Sequence, residues 1–408
     1  MARGRGIALL VGVTGMLACA SVWGGVAAAG TARWVGHAPL MRLPRSTTAR
    51  PRLPGSPALT LSTRRAAVAA SSSFALRLTG RRPKARLSVS PSNMTYLGGR
   101  VLLRWSSSNA KRCTMASSRP FWRGPNPARV RCRGSFGGTL GAVAATFGWK
   151  FTFTARNATG KTVARRTFAI HGPPFAVDPV WAGYVITPGT AVTEVSGEFT
   201  VPRLNCLDTF NAGEAMWAGI GGAHGTAGDL LQTGVTSGCS EGTQTDNAAW
   251  WEEYPEVPGI NFNGMSVSAG DQMRASVYRL ADGTTWETCL EDLTTGLSGL
   301  MVTGEGWGVT TGGCSGTFTE QGSTATLSYA GGTSAEWIIE DFDIDENGTL
   351  VQVPFADFGT VAFSNLTTSL SSWNLTSSDA WGVGDKHGDL LAAPSTPSGN
   401  GFSVTYTG

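Results

Sequence analysis

The first 175 residues of this 408-residue chain contain no aspartate and no glutamate. They hold 28 of the 32 lysines and arginines and are formally +28, whereas residues 176–408 carry the other 4 basic and all 28 acidic side chains and sum to −24. This distribution excludes a chain of even composition. The chain therefore joins two parts of opposite charge, and this asymmetry needs a physical explanation.

Helical patterns are also missing. No stretch of 12 or more residues within 181–408 repeats its apolar residues with the 3.6-residue period, while the chain holds 55 glycines and 14 tryptophans. This composition excludes a helical bundle or a coiled coil and favours short strands joined by turns. Beyond the N-terminal segment, no window offers 18 uninterrupted apolar residues, so we expect no membrane-spanning helix there.

Residues 1–29 have the pattern of a secretory signal peptide. Arg3 and Arg5 precede an apolar stretch from Ile7 to about Ala20, and small residues follow at the position where cleavage is expected. The apolar stretch is short and interrupted by glycine, which argues against a permanent span. We therefore expect a secreted, extracellular protein.

Loss of that segment leaves six cysteines, an even number that is typical of an exported, disulfide-bonded chain. The predicted disulfides join sequence neighbours: Cys113 with Cys132, Cys206 with Cys239, and Cys289 with Cys314. The chain has no C-x-x-C and no H-E-x-x-H motif, so disulfides explain these cysteines better than a zinc site does. We expect no metal.

The chain after the signal peptide divides into three parts. Residues 30–86 combine arginine with Pro, Ser, Thr and Ala and have few bulky apolar residues, which predicts a disordered basic arm or propeptide. Residues 87–172 alternate as short strands and predict a small β-sandwich. A Pro-rich hinge ends this part, and residues 173–408 predict one large two-sheet antiparallel β-sandwich, so the fold class is all-β.

Histidine offers little chemistry in the acidic part, which holds only His224 and His387. Residues 238–242 match G-x-S-x-G, but that motif joins a strand to a helix, and no helix is predicted here. A turn beside a disulfide is the simpler interpretation. Carboxylates are the better source of acid–base chemistry.

One predicted strand, residues 334–343, carries carboxylates among apolar residues. Its alternation places Glu336, Ile338, Glu340 and Phe342 on one face. If that face is exposed, both glutamates are merely solvated. If it lines a cleft, Glu340 is a carboxylate with a tunable pKa in an aromatic frame.

A second predicted strand, residues 248–256, places Trp250, Glu252 and Tyr254 on one face by the same alternation. Such a face could grip an extended chain. Aromatic alternation could equally fill the core of a sandwich, and the sequence leaves both possibilities open.

Several segments resemble, in order, the glutamic peptidases, also called eqolisins. The matching segments are LLQTGV (230–235), AAWWEEYPE (248–256), EDLTTG (291–296), SAEWIIEDFD (334–343) and VPFADFGTVAF (353–363). The resemblance covers nearly all of 180–408 and implies acid proteolysis on a two-sheet β-sandwich, without metal or cofactor, by a Gln and Glu dyad. The part before it resembles bacterial immunoglobulin-like modules, which implies a bacterial-type member.

By position in these motifs, the resemblance implies that Gln232 and Glu340 are the catalytic dyad. The implied substrate-binding residues are Trp217, Trp250, Glu252, Tyr254 and Phe342. The chain departs from the family pattern at Gly221 and Ala248, where the family usually has aspartate. An ordinary glutamate titrates near 4.3, so Glu340 could act as a base at pH 3 to 4.

Two other functions fit a secreted acidic sandwich: a glycosidase with a carboxylate pair, or a non-enzymatic carbohydrate-binding protein. Glu336 and Glu340 are four residues apart on one strand, about 13 Å, which is too far for a glycosidase pair. A carbohydrate-binding protein would explain the aromatic residues but gives no reason for Gln232.

The opposite charges predict that the basic N-terminal segment docks on the acidic domain at neutral pH. Protonation of the carboxylates between about pH 5 and 3 would release it, as in a zymogen. Alternatively, the arm binds an anionic cell wall or nucleic acid. For the mature enzyme we expect a monomer that acts on polypeptides.

Overall fold

The computed structural model describes residues 41–42, 80–207, 211–223, 229–245, 247–345 and 350–408. The predicted signal peptide and nearly all of the predicted basic arm lie outside them. The described strands form two groups, each with a hydrophobic core of its own. The all-β prediction is confirmed. Among the described residues, no helix is long and apolar enough to cross a membrane.

The first group is a small sandwich. Its strands are β1 (Met41–Arg42), β2 (Lys84–Ser90), β3 (Asn93–Met94), β4 (Gly99–Ser108), β5 (Arg112–Ser117), β6 (Trp122–Arg123), β7 (Ala128–Val130), β8 (Arg133–Leu140), β9 (Phe147–Asn157) and β10 (Gly160–Ile170). Strands β2, β4 and β8 form one sheet, and strands β3, β10, β9, β5 and β7 form the other, in these orders. The sandwich proper begins at β2, three residues before the predicted boundary at 87.

Strand β9 shows why this segment folds as a sandwich. Phe147, Trp149, Phe151 and Phe153 are buried, while the residues between them face outward. Burial of one such aromatic side chain contributes about 1.5 to 3 kcal/mol. The Cys113–Cys132 disulfide is present as predicted and closes the small domain covalently. We call residues 84–170 the small sandwich.

The second group contains the remaining strands. They are β11 (Ala176–Asp178), β12 (Trp181–Ile186), β13 (Glu194–Thr200), β14 (Gly213–Ile220), β15 (Leu230–Ser240), β16 (Thr243–Gln244), β17 (Asn247–Tyr254), β18 (Val257–Val267), β19 (Gln272–Arg279), β20 (Trp286–Asp292), β21 (Ser298–Val302), β22 (Gly306–Thr310), β23 (Thr319–Gly322), β24 (Ala335–Glu340), β25 (Asp343–Asp345), β26 (Leu350–Gln352), β27 (Thr360–Thr368), β28 (Ala380–Gly384), β29 (Leu390–Pro394) and β30 (Phe402–Tyr406). A 3-10 turn covers Gly313–Ser315.

Eighteen of these strands belong to one hydrogen-bonded sheet that folds over itself. One layer runs β18–β17–β15–β14–β24–β12–β28, and the β28–β29 turn leads into the other, β29–β30–β27–β13–β19–β20–β21–β22–β23. Pairing is antiparallel apart from β11 beside β28. The main core, with Trp337 and Met273 fully buried, lies between the layers. The prediction of a large antiparallel sandwich is therefore confirmed.

The other two predicted disulfides are present as well. Cys206 bonds Cys239 at the end of β15, and Cys289 on β20 bonds Cys314. They close loops of 33 and 25 residues, each worth about 3 to 4 kcal/mol in the chain-entropy model.

The small sandwich contacts the large one through apolar and backbone groups. Val143 forms a β-bridge with Asp389 in the β28–β29 turn, and the backbone N–H of Ala144 donates to the carbonyl of Gly388. Tyr96 packs edge-on against Phe175. Between the described residues, this contact contains no ion pair.

Two glycines on β15 provide a test of the packing of this layer. Gly234 lies in register between Trp217 and Trp250, and a Cβ there would meet the Met216 carbonyl oxygen at 2.1 Å. A Cβ at Gly238 on the same strand would meet only ordinary contacts at 3.4 Å and beyond.

We expect Gly234→Ala to lower the free energy of unfolding by about 3 kcal/mol, because β14 and β15 must separate to admit the methyl group. Gly238→Ala, the matched control, should change it by less than about 1 kcal/mol. Urea unfolding monitored by tryptophan fluorescence measures both. Equal effects of the two substitutions would show that β14 and β15 are not packed as described.

Candidate active site

The outer face of the β24 layer carries a second, smaller apolar cluster. Ile338 and Phe342 belong to this cluster, whereas Trp337 and Ile339 point into the core between the layers. Glu336 and Glu340, on the outer side of β24, are nevertheless buried. The interpretation of these two glutamates as merely solvated is therefore wrong.

Glu340 lies at the end of β24, between Trp181 on β12 and Ala215 on β14. Its Oε1 accepts a hydrogen bond from Trp181 Nε1 at 2.9 Å, and its Oε2 accepts one from Trp217 Nε1 at 2.8 Å. The side chain is only 2% exposed. Two indole donors thus fix both carboxyl oxygens, which restricts the rotation of the group.

Trp181 is not among the residues that the family resemblance implied for the site. The backbone N–H groups of Val180 and Trp181 both donate to Asp178 Oδ1, which fixes the start of β12. The ring packs edge-on against Trp217, with centroids 5.1 Å apart. Its contact with Glu340 depends on the pairing of strands 159 residues apart, and no local sequence signal reveals that pairing.

Gln232 and Glu252 face each other across β15 and β17. Gln232 Nε2 donates to Glu252 Oε2 at 2.6 Å, and both residues are fully buried. Glu252, predicted to bind substrate, is therefore placed where it orients the amide of Gln232.

Gln232 and Glu340 lie on the same face of the layer, on the two strands that flank β14. Gln232 is in register with Gly219, and Glu340 is in register with Ala215, four residues earlier on β14. Glycine at position 219 leaves the space beside Gln232 open, since a Cβ there would lie 3.1 Å from the Cβ of Gln232. The two predicted dyad residues thus share one buried surface.

The predicted pocket residues gather on this same surface. Trp217, Trp250 and Phe342 are buried members of the outer cluster, and Tyr254 packs against it half-buried. The alternation of residues 248–256 separates its two tryptophans: Trp250 faces the outer cluster beside Glu340, while Trp251 fills the main core.

Burial dominates the electrostatics of the site. It raises the pKa of Glu340 well above its usual 4.5; the bonds from Trp217 and Trp181 oppose this rise, and the charges of Glu252 and Asp178 add to it. Burial likewise raises the pKa of Glu252 to about 7, against the lowering effect of its bond with Gln232. Glu340 and Glu252 are thus close enough to influence each other, and both are protonated in acid.

The backbone explains why glycine stands at position 221, one of the two departures from the family pattern. Its φ of +89° lies in the left-handed region, and a Cβ would meet the Asp229 carbonyl oxygen at 2.1 Å. Aspartate cannot occupy this position without moving the backbone. The structure offers no comparable reason for Ala248. The G-x-S-x-G segment ends β15 and turns at Glu241 into β16, as the simpler interpretation predicted.

Among the other buried glutamates, two lie on the neighbouring strands β24 and β14 and have no part in the predicted dyad. Glu336 lies on the site face of β24, and burial raises its pKa well above 4.5. Glu214 on β14 is fully buried, and burial raises its pKa to about 8 against a smaller lowering by Ser237. Residues 214, 216 and 218 alternate toward the main core, so Glu214 faces away from the site.

These buried carboxyls set the pH dependence of stability. Each keeps its proton in the native state to a higher pH than in the unfolded chain, where glutamate titrates near 4.5. Between pH 4.5 and about 8 the native state binds more protons, so the free energy of unfolding falls as pH rises. We expect a loss of several kcal/mol from pH 4 to pH 8, measured by urea unfolding at both pH values.

Glu214→Gln should flatten this slope, because glutamine mimics the protonated acid and does not titrate. The matched control is Glu320→Gln, at an exposed glutamate, which should leave the slope unchanged. A free energy of unfolding that rises from pH 4 to pH 8 would contradict the assignment.

Sequence comparisons with known proteins match the part of the chain that carries this site. The Peptidase A4 family profile matches residues 179–303 and 309–406. The chain is 30% identical to aspergillopepsin-2 of Aspergillus niger over 251 residues, which cover 55% of this chain and 77% of that protein. It is also 30% identical over 207 residues to scytalidopepsin B of Scytalidium lignicola, covering 50% and 68%.

Among solved structures, scytalido-glutamic peptidase with a transition state analog inhibitor is 27% identical, covers 57% of this chain and 100% of its own, and has a TM-score of 0.43. Aspergilloglutamic peptidase from Aspergillus niger is also 27% identical, with coverage of 48% and 99% and a TM-score of 0.32. The family match spans the strands that carry the site and more than half of the chain. The chain is therefore a peptide hydrolase, and it belongs to the peptidase A4 family of glutamic peptidases.

Proposed function

We propose that the protein is a secreted acid endopeptidase in which Glu340 and Gln232 form the catalytic dyad. The observation that carries the proposal is the Glu340 carboxyl, buried and held at both oxygens by the indoles of Trp181 and Trp217. Any buried carboxyl needs hydrogen-bond partners, but this one also lies on the same face as Gln232, held in a fixed orientation that suits proton exchange.

Glu340 acts as both base and acid in this proposal. Because burial raises its pKa, the resting group is protonated in acid, in contrast to the partly ionised glutamate that the sequence suggested. One carboxyl oxygen accepts a proton from water as the water oxygen attacks the scissile carbonyl carbon. In the same step, the proton that Glu340 already holds passes from its other oxygen to the amide nitrogen, so the carboxyl stays neutral. The C–N bond then breaks as the oxyanion of the intermediate collapses to the new carboxyl group. Water is the only co-reactant.

Gln232 orients the attacking water and donates an N–H to the oxyanion of the tetrahedral intermediate. Glu252 supports this role, because its bond at 2.6 Å fixes the amide before substrate arrives. An amide keeps its donors at every pH, whereas a second carboxyl would change its hydrogen bonding as it titrates. Trp250, Tyr254 and Phe342 then line the substrate site.

Activity should be confined to acid for a reason that the pKa values supply. A protonated Glu340 is required to release the leaving amine, and ionisation of Glu252 would place a negative charge beside it. No metal or cofactor takes part in the proposed reaction.

The dyad is tested by digestion of a denatured protein at pH 3 to 4. We expect Glu340→Gln to lower kcat by at least about 1,000-fold, and Gln232→Ala to lower it by about 100- to 1,000-fold. The matched control for Glu340 is Glu214→Gln, an equally buried glutamate on the other side of the layer. Its kcat should stay within about threefold of the parent protein.

Cleavage that survives both dyad substitutions would overturn the dyad. Breakdown of a polysaccharide in place of protein would favour the glycosidase alternative. Circular dichroism of each variant at the assay pH shows whether the fold is retained.

The rest of the proposed organisation follows the sequence. Residues 1–29 direct export, and residues 30–83, which precede the small sandwich, form a basic propeptide. The small sandwich is the immunoglobulin-like module of a bacterial-type, monomeric enzyme. The basic N-terminal segment docks on the acidic domain at neutral pH and delays activity, because 28 acidic side chains lie in residues 176–408.

We expect the full chain to digest substrate more slowly at pH 5 to 6 and low salt than a chain without residues 30–79. The difference should disappear at high salt or pH 3, since salt screens the attraction and acid neutralises the carboxylates. Initial rates from both proteins provide the measurement. Equal rates at pH 5 to 6 in low salt would rule out latency.

A further inference from the structure

The small sandwich is a cationic domain without an internal counter-charge. Residues 84–170 hold 16 lysines and arginines and no aspartate or glutamate. The two ion pairs among the described residues both involve Arg274 in the large sandwich, with Glu198 and Glu291. Positive charges gathered so closely repel one another, so an anionic partner would be favoured at this domain.

The outer face of the β2–β4–β8 sheet arranges arginine and serine in alternating rows. Arg86, Ser106 and Arg133 are in register across the three strands, one arginine on each flanking strand. In the neighbouring row, the arginine is Arg104 on the central strand β4, and serines lie on the two flanking strands. The backbones of Arg86 and Arg133 are therefore about 10 Å apart, and Arg104 lies about 7 Å further along.

A groove of about 790 Å³ lies over this array. Arg86, Arg104, Arg133 and Arg166 line it, all four exposed, together with Ser88 and Ser135. Guanidinium groups match phosphate oxygens through paired N–H donors, and serine hydroxyls add further donors. The groove thus offers several positively charged hydrogen-bond donors along its length.

The groove lies away from the large sandwich. Contact with that domain is made around Val143, just after the end of β8 at Leu140. Arg133 is at the other end of β8, seven residues and about 23 Å from Leu140. A polymer in the groove would therefore leave the contact with the catalytic domain in place.

The groove favours a phosphodiester chain that carries no bases. Proteins that bind single-stranded nucleic acid stack the bases on exposed aromatic rings. The aromatic residue here, Trp105, is 8% exposed, and its indole N–H donates to the Arg131 carbonyl. Carboxylate polymers are less suitable, because they lose their charge in the acid where the enzyme is proposed to work, while phosphodiesters keep theirs.

We propose that the groove of the small sandwich binds a polyol-phosphate polymer of the cell envelope, with Arg86, Arg104, Arg133 and Arg166 on successive phosphates. The small sandwich then anchors the chain to an anionic surface and retains it in acid. The choice of a phosphodiester over a carboxylate polymer rests on the proposed activity in acid, whereas the groove itself does not depend on the catalytic dyad.

The test measures binding of the full chain to immobilised poly(glycerol phosphate) at pH 6 and pH 3, over a range of salt concentrations. We expect binding at both pH values, with Arg104→Ser/Arg133→Ser weakening affinity at least tenfold and reducing the slope of log affinity against log salt by about 2. The matched control is Arg112→Ser/Arg129→Ser, which removes the same charge from the outer face of the other sheet. It should weaken affinity about twofold at most.

Polyglutamate should bind at pH 6 and fail to bind at pH 3. No binding of poly(glycerol phosphate), or equal losses from the two double variants, would overturn the groove as the site. Tighter binding of a single- or double-stranded oligonucleotide of equal charge would overturn the polyol-phosphate assignment in favour of nucleic acid.

Discussion

The hydrogen bonds from two indoles to one buried carboxyl are the interaction on which the site depends. Glu340 can stay on the site face of β24 because Trp181 on β12 and Trp217 on β14 satisfy its oxygens where water is excluded. Those two strands flank β24 directly, so the bonds also fix the order of the layer. A carboxyl in this position without both donors would carry the full cost of desolvation.

The same exclusion of water connects the chemistry to the stability of the domain. Glu214, Glu252 and Glu340 are buried on both sides of a single layer, and burial raises the pKa of all three. A protein with this many buried acids is less stable at neutral pH than in acid. In acid each carboxyl is neutral and can donate as well as accept a hydrogen bond. The proposed acidic working range and the predicted stable range therefore have a common physical origin.

Much of the architecture could be predicted from the sequence because it is encoded locally. Period-two alternation identified the faces of residues 248–256 and 334–343, and cysteine spacing identified all three disulfides. What could not be predicted depends on the pairing and register of strands, which no local pattern specifies. The approach of Trp181 to Glu340 and the support of Gln232 by Glu252 are of this kind, and so is the burial that moves the pKa of Glu340. The roles of Gln232 and Glu340 came from family resemblance and not from alternation.

The β28–β29 turn joins the two layers of the large sandwich and also receives the small one at Asp389. The small sandwich is thus attached twice, once by the chain through residues 171–176 and once by this bridge. Two points of attachment define an axis, so swivelling about a single flexible tether is suppressed. If the small sandwich binds a surface as proposed, the candidate site of the large sandwich is held in a preferred orientation toward that surface.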